Sequence, residues 1–125
     1  MNEFLFVRIG KEYTKLFFSE IVYIESLKNY VRIVTAQNKF MIKVTMSRVE
    51  KVLPKNQFCR IHRCFIVALK AVSGFNHDNV HINGKNFSIG EQYRKVLFDR
   101  IITLESDAAS KPELINTDIN KPRLN

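Results

Sequence analysis

Short β-favouring runs, several of them closed by turn signals, leave this chain little room for anything but a mainly β architecture. The sharpest punctuation is Asn83-Gly84, set between the runs Val80–Ile82 and Asn86–Ile89. A two-residue hairpin turn needs positive φ, which Asn and Gly adopt most readily, so this pair predicts a hairpin. Phe4–Ile9 is an apolar run ending at the turn signal Gly10-Lys11, and Tyr13–Phe18 and Ile21–Ser26 follow. Leu27-Lys28-Asn29 interrupts before the β-branched, alternating Tyr30–Thr35, and Ala36-Gln37-Asn38-Lys39 predicts a loop into Phe40–Val44. Phe58–Leu69 reads as a strand pair or as one kinked strand, and Val72–Phe75 as a short strand.

Two segments break this pattern. Thr45–Leu53 places Met46, Val49, Val52 and Leu53 on one helical stripe, Ser47 with Glu50 has the spacing of a capping box, and Pro54 stops the helix. Tyr93–Ile102 puts Tyr93, Val96, Leu97 and Ile101 on one face, which predicts a second short helix. The expected fold is therefore mainly β with one or two short helices. From Glu105 the chain is polar and carries Lys-Pro twice, so residues 1–104 read as one domain and 105–125 as a polar, disordered tail or linker.

The 125 residues suit a single domain with one modest core, and 46% hydrophobic with 26% charged residues is neither a disordered nor a fibrous composition. Charge is lopsided. The chain carries +8, and residues 1–104 hold 17 basic against 8 acidic groups, a net +9. A small domain this basic attracts polyanions, above all nucleic acid, and an anionic membrane surface less often. No stretch approaches the ~20 apolar residues of a membrane span, and the N-terminus lacks the basic region and long apolar run of a signal peptide, which places the expectation in the cytoplasm. Cys59 and Cys64 fit no disulfide framework.

Three segments carry chemistry. Glu25-Ser26-Leu27-Lys28-Asn29-Tyr30 joins two strands and offers a cation, an amide and an aromatic hydroxyl, groups that suit a nucleic-acid backbone and base edges. It also fits an ordinary solvated turn. In Phe58-Cys59-Arg60-Ile61-His62-Arg63-Cys64-Phe65-Ile66-Val67, basic residues alternate with apolar ones; Arg60 and His62 share one side of a strand, and Arg63 joins them only if the chain bends there. A half-buried strand with solvated arginines is the plain alternative. Ile89-Gly90-Glu91-Gln92-Tyr93-Arg94-Lys95 leaves a strand and enters a helix; Gln92 suits an adenine edge, and Arg94 or Lys95 suits the phosphate backbone, although a helix start with surface cations would look the same. Cys59, His62 and Cys64 are zinc-ligand types in a spacing that matches no common zinc pattern, and His62 with Cys64 lacks the third group of a nucleophilic site. His77 and His81 read as surface residues of a polar hairpin. The expectation is no metal, no cofactor and no enzyme.

The order of these segments resembles the LytTR (LytR/AlgR-type) family of bacterial DNA-binding domains. Ile21-Val22-Tyr23-Ile24-Glu25-Ser26 followed by Asn29-Tyr30-Val31 is similar to the family's I-x-Y-I-E-A…D-Y-V, and Thr45-Met46 through Leu53-Pro54 to its short helix. The most specific piece is Phe58-x-Arg60-Ile61-His62-Arg63-Cys64-Phe65-Ile66-Val67, against F-x-R-V-H-R-S-Y-I-V; Asn83-Gly84-Lys85 and Tyr93-Arg94-Lys95 resemble the closing hairpin and Y-R-K. The resemblance spans roughly residues 4–102. It implies an elongated β domain that is the output module of a transcription (response) regulator, with loops entering successive major grooves at direct repeats in promoters. Base contacts fall on Asn29, Tyr30, Arg63 and Gln92, and backbone contacts on Lys28, Arg60, His62, Arg94 and Lys95, His62 being in part structural. It further implies pairing of domains on DNA; most members carry a receiver domain upstream, so the resemblance fits either a domain of a longer regulator or a protein of bare DNA-binding type. One departure stands out: the family's S-R-x-Y before the last helix is Gly90-Glu91-Gln92-Tyr93 here, an acid where a base is usual.

The main competing class is a basic RNA- or ribosome-associated β module. Such modules stack unpaired bases on exposed aromatics, whereas most of the 10 phenylalanines here lie in strand runs and are expected to be buried. A protein-interaction or membrane-surface module recruited by charge is the third reading.

Overall fold

A computed structural model describes residues 3–107. Its strands are β1 (Phe4–Ile9), β2 (Glu12–Phe17), β3 (Ile21–Ser26), β4 (Val31–Thr35) and β5 (Lys39–Ile42), then, after helix α1 (Met46–Val52), β6 (Phe58–His62), β7 (Phe65–Ala68), β8 (Gly74–Phe75), β9 (Asn79–Ile82) and β10 (Lys85–Ser88). Helix α2 (Arg94–Arg100) closes the series. All strand pairs are antiparallel. They form a β1–β2 ribbon, a central five-stranded sheet in the order β5-β4-β3-β7-β6, and a three-stranded sheet in the order β10-β9-β8.

The central sheet is covered on both faces, and the period-2 alternation of strand side chains shows how. Ile24, Ile33 and Ile66 join one buried cluster with Val7 and Leu16 of the ribbon and Met46 and Val49 of α1. Their chain neighbours Tyr23, Val34 and Val67 join a second cluster with Val80, Ile82 and Phe87 of the three-stranded sheet and Leu97 of α2. A sheet buried on both faces reads as continuous apolar runs rather than as clean alternation, which is what Ile21–Ile24 displays.

Several sequence expectations need adjustment. Phe58–Leu69 is a strand pair, broken at Arg63-Cys64. Tyr30 lies outside β4, and Phe18 leaves β2 to begin a 3-10 turn, where it is buried. The N-cap of α1 is Thr45, whose Oγ1 accepts from the Arg48 amide at 3.2 Å, so the expected Ser47–Glu50 box does not form. Met46, Val49 and Leu53 are buried, but Val52 is 55% exposed. In α2 only Leu97 of the predicted stripe is fully buried and Val96 is exposed; Tyr93 belongs to a 3-10 turn over Glu91–Tyr93 and Ile101 lies past the end of the helix, so the four residues do not form one helical face. The phenylalanines are less buried than expected: Phe18, Phe58 and Phe87 are fully buried, whereas Phe6, Phe17 and Phe98 are exposed. The β1–β2 ribbon is covered on one face only, which leaves Phe6 and Phe17 outward. Of the tail expected from 105, residues 108–125 lie outside the described residues.

Candidate nucleic-acid interface

The β6–β7 hairpin is built to present its tip. A register irregularity between Arg60 and His62 bends β6 just before the turn, and bulges of this kind re-aim side chains. The His62 ring is folded back: its Nδ1 accepts the Cys64 amide at 3.0 Å, which fixes Nδ1 as the unprotonated nitrogen in this arrangement, and the ring lies 5.3 Å from Phe65. Arg60 spans the base of the turn. Its guanidinium donates to the Arg63 carbonyl at 2.8 Å and the His62 carbonyl at 3.4 Å, pairs with Glu50 of α1 at 3.1 Å, and sits 5.5 Å from the centre of the Tyr93 ring. With these donors occupied by protein, Arg60 holds the hairpin to α1. Arg63 is left exposed at the tip, and its side chain makes no hydrogen bond or ion pair among the described residues.

The β3–β4 loop lies alongside. The Ser26 amide donates to the Cys64 carbonyl at 2.9 Å, and the loop closes on itself through Leu27 N–H to the Tyr30 carbonyl at 2.7 Å. Glu25, next to the loop, is neutralised by Arg32 at 2.7 Å, and that contact raises the arginine pKa further. Lys28, Asn29 and Tyr30 are exposed, Tyr30 by 44%. Together with Lys43, Thr45 and Ser47 at the entry to α1, these residues and Arg63 line one open cleft of about 480 Å³. The expected first and second sites thus converge on one concave, basic surface.

The third expected segment does not line that cleft. It docks on β6, where the Gly90 amide donates to the Ile61 carbonyl at 2.7 Å. The approach is close: a Cβ at Gly90 would come within 3.1 Å of the Tyr93 ring and 3.6 Å of the His62 Cα. Gln92 is exposed. Arg94 is committed within the protein, to the His77 carbonyl at 2.8 Å and to Glu91 at 2.7 Å, and its hydrogen bond holds the Glu91 carboxyl below the ordinary range. Lys95 pairs with Asp99 at 2.8 Å, a contact that raises its pKa.

Cys59 is buried in the second core, and that burial pushes its thiol pKa up. Among the described residues no group of three or more His, Cys, Asp or Glu side chains is placed to hold a metal ion. No helix among them is long and apolar enough to cross a membrane.

A family model of the LytTr DNA-binding domain matches residues 11–107. The chain belongs to the LytTR family. Among solved structures, the LytTR domain is similar to the LytTr DNA-binding domain of a methyl-accepting/DNA response regulator from Bacillus cereus, with a TM-score of 0.67 at 18% identity over 80% of this chain and 97% of that one. No curated protein matches it. The family is one of DNA-binding domains and not of enzymes. Within this LytTR domain, Lys43 and Ser47 are cleft residues that sequence reading missed. Each is an unremarkable polar residue beside a helix start, and only the packing of α1 against the two loops brings them to the site.

Proposed function

We propose that this domain binds duplex DNA sequence-specifically as the output module of a bacterial transcription regulator, with the cleft rim of the β3–β4 loop and the β6–β7 tip entering a major groove. The observation that carries the reading is the convergence of Lys28, Asn29, Tyr30, Lys43 and Arg63 on one surface. Such a surface offers point charges for phosphates and planar donors for base edges. Arg63 reads guanine, whose two major-groove acceptors match its fork, and Asn29 and Tyr30 read neighbouring positions. Gln92, exposed at the far side of β6, reads a base beyond the cleft, with Lys95 near the phosphates. His62, Arg60 and Arg94 approach the backbone while chiefly holding the hairpin and the Glu91–Tyr93 turn in place, as their bonds to protein support. Glu91 neutralises Arg94 locally, so this third contact is the weakest of the three.

Two domains pair on direct repeats in a promoter, in the cytoplasm, and a receiver domain upstream in a longer protein supplies the signal. Selection of bound duplexes from a random pool, followed by footprinting, tests this reading. It predicts a repeated motif with a guanine protected by Arg63, and recovery of no motif would contradict it.

The RNA-module alternative gains one observation. Phe6 and Phe17 are exposed on the ribbon, with Lys15 lying 4.4 Å from the neighbouring Phe4 ring. Single-stranded RNA outcompeting the selected duplex would favour it.

A further inference from the structure

A second concavity lies on the other side of α1 from the DNA-facing cleft. It is a half-open groove of about 250 Å³ between β1, the edge of the central sheet and α1, floored by buried core residues such as Ile21, Ile33 and Val49. Every residue lining it is apolar except Arg8 and Arg48. Among the described residues neither arginine has a carboxylate partner. Arg8 donates only Nε to the Gly10 carbonyl at 3.1 Å and lies 5.6 Å from the Tyr13 ring, and the Arg48 side chain makes no hydrogen bond or ion pair among the described residues. Among the described residues no acidic side chain lines the groove.

We propose that this groove is a binding site for a small amphipathic carboxylate: an unbranched aliphatic chain lies along the apolar floor and its carboxylate meets the guanidiniums of Arg8 and Arg48. The chemistry selects this occupant on three counts. Apolar walls with a few placed polar groups are what small-molecule sites share, and the volume falls just under the ~300–1,000 Å³ usual for drug-sized ligands, which favours a short chain. Two cations with no anion of their own favour an anionic head, and guanidinium is suited to grip a carboxylate with two parallel hydrogen bonds. The third count is the open side, which lets the charged head stay partly hydrated and spares it the cost of full burial. The site also adjoins the DNA-facing surface. Arg48 and Val49 line this groove, while Met46 and Ser47, one turn or less away on the same helix, line the DNA-facing cleft, and Val44 lines both. The site itself stands whether or not the DNA reading holds.

The probe is decanoate, titrated into the full 125-residue chain and followed by methyl NMR, with hexanoate, octanoate, decanol and decylamine in parallel. Shifts are expected at the methyls of Ile33, Ile42 and Val49. Each added methylene from hexanoate upward should tighten binding about threefold. Decanoate should bind better than decanol, and decylamine worst. Arg48→Gln, an exposed substitution that leaves the core intact, should weaken decanoate about fivefold without changing decanol, and Arg8→Gln should act in the same direction. Four results would overturn the proposal. One is no shift at the groove methyls, and another is equal binding of all three head groups. A third is an unchanged decanoate affinity in the double Arg8→Gln, Arg48→Gln variant. The last is groove signals that depend on protein concentration before any ligand is added, which would mean that a second copy of the chain occupies the groove.

Discussion

Arg63 and Lys28 line the same cleft, yet under the proposed function losing them should have different consequences. Arginine's planar fork matches two acceptors on one base, whereas an ammonium is a point charge that suits any phosphate. Arg63→Ala should cost about 1–3 kcal/mol on the best duplex and relax preference at a single position. Lys28→Ala should weaken every duplex to a similar degree. Affinities for the selected site and its single-base variants at fixed salt separate the two, and uniform weakening by Arg63→Ala would reduce that residue to a backbone clamp. At the same scale, the two cysteines should behave differently. Burial raises the Cys59 thiol above its ordinary value, so the folded state disfavours its thiolate. The associated stability is complete below the unfolded thiol pKa and is lost as pH climbs through the higher folded value. A thiolate-directed reagent near pH 8 should therefore modify Cys64, in the hairpin turn, well before Cys59. Faster labelling of Cys59 would place it outside the core.

Among the elements, the Asn83-Gly84 hairpin was the most legible, and the turn carries the predicted positive φ at both positions, 48° and 78°. The reason is local: two adjacent residues determine the turn whatever packs around them. Helix α1 was legible as a helix but not at its boundary. Thr45 and Ser47 are both good caps, and which one caps depends on where the chain from β5 turns, a tertiary matter. Glu50 looked like the partner of Ser47 and instead reaches across to Arg60. Val52 looked like core because the stripe ignores that a seven-residue helix has only one covered side. The cap makes a direct test: Thr45→Ala should lower stability by about 1 kcal/mol in urea unfolding, with Ser47→Ala close to neutral. The reverse ranking would restore the Ser47 cap.

At the scale of the whole molecule, the loops and strands carried enough order to point to the family, while the convergence of residues 27–30, 43–47 and 63 on one cleft was not readable. It arises from β7 pairing with β3 across nearly forty intervening residues, and nothing in the local sequence encodes that pairing. The third segment shows the same limit in reverse: Arg94 looked free in sequence and is tied to His77 and Glu91 in the fold. We propose that the domain ends near residue 104: residues 102–107 lie outside any helix or strand and are exposed, so removing residues 105–125 should leave melting temperature and DNA affinity nearly unchanged, and a large drop in either would move the domain boundary outward. In the proposed function the net +9 of residues 1–104 serves duplex DNA. Its most direct test is the salt dependence of binding to the selected duplex, with single-stranded RNA of the same sequence as competitor. The expected log–log slope steepens by about 0.9 for each phosphate neutralised, with little competition by the RNA. A slope near zero, or binding carried away by the RNA, would contradict it.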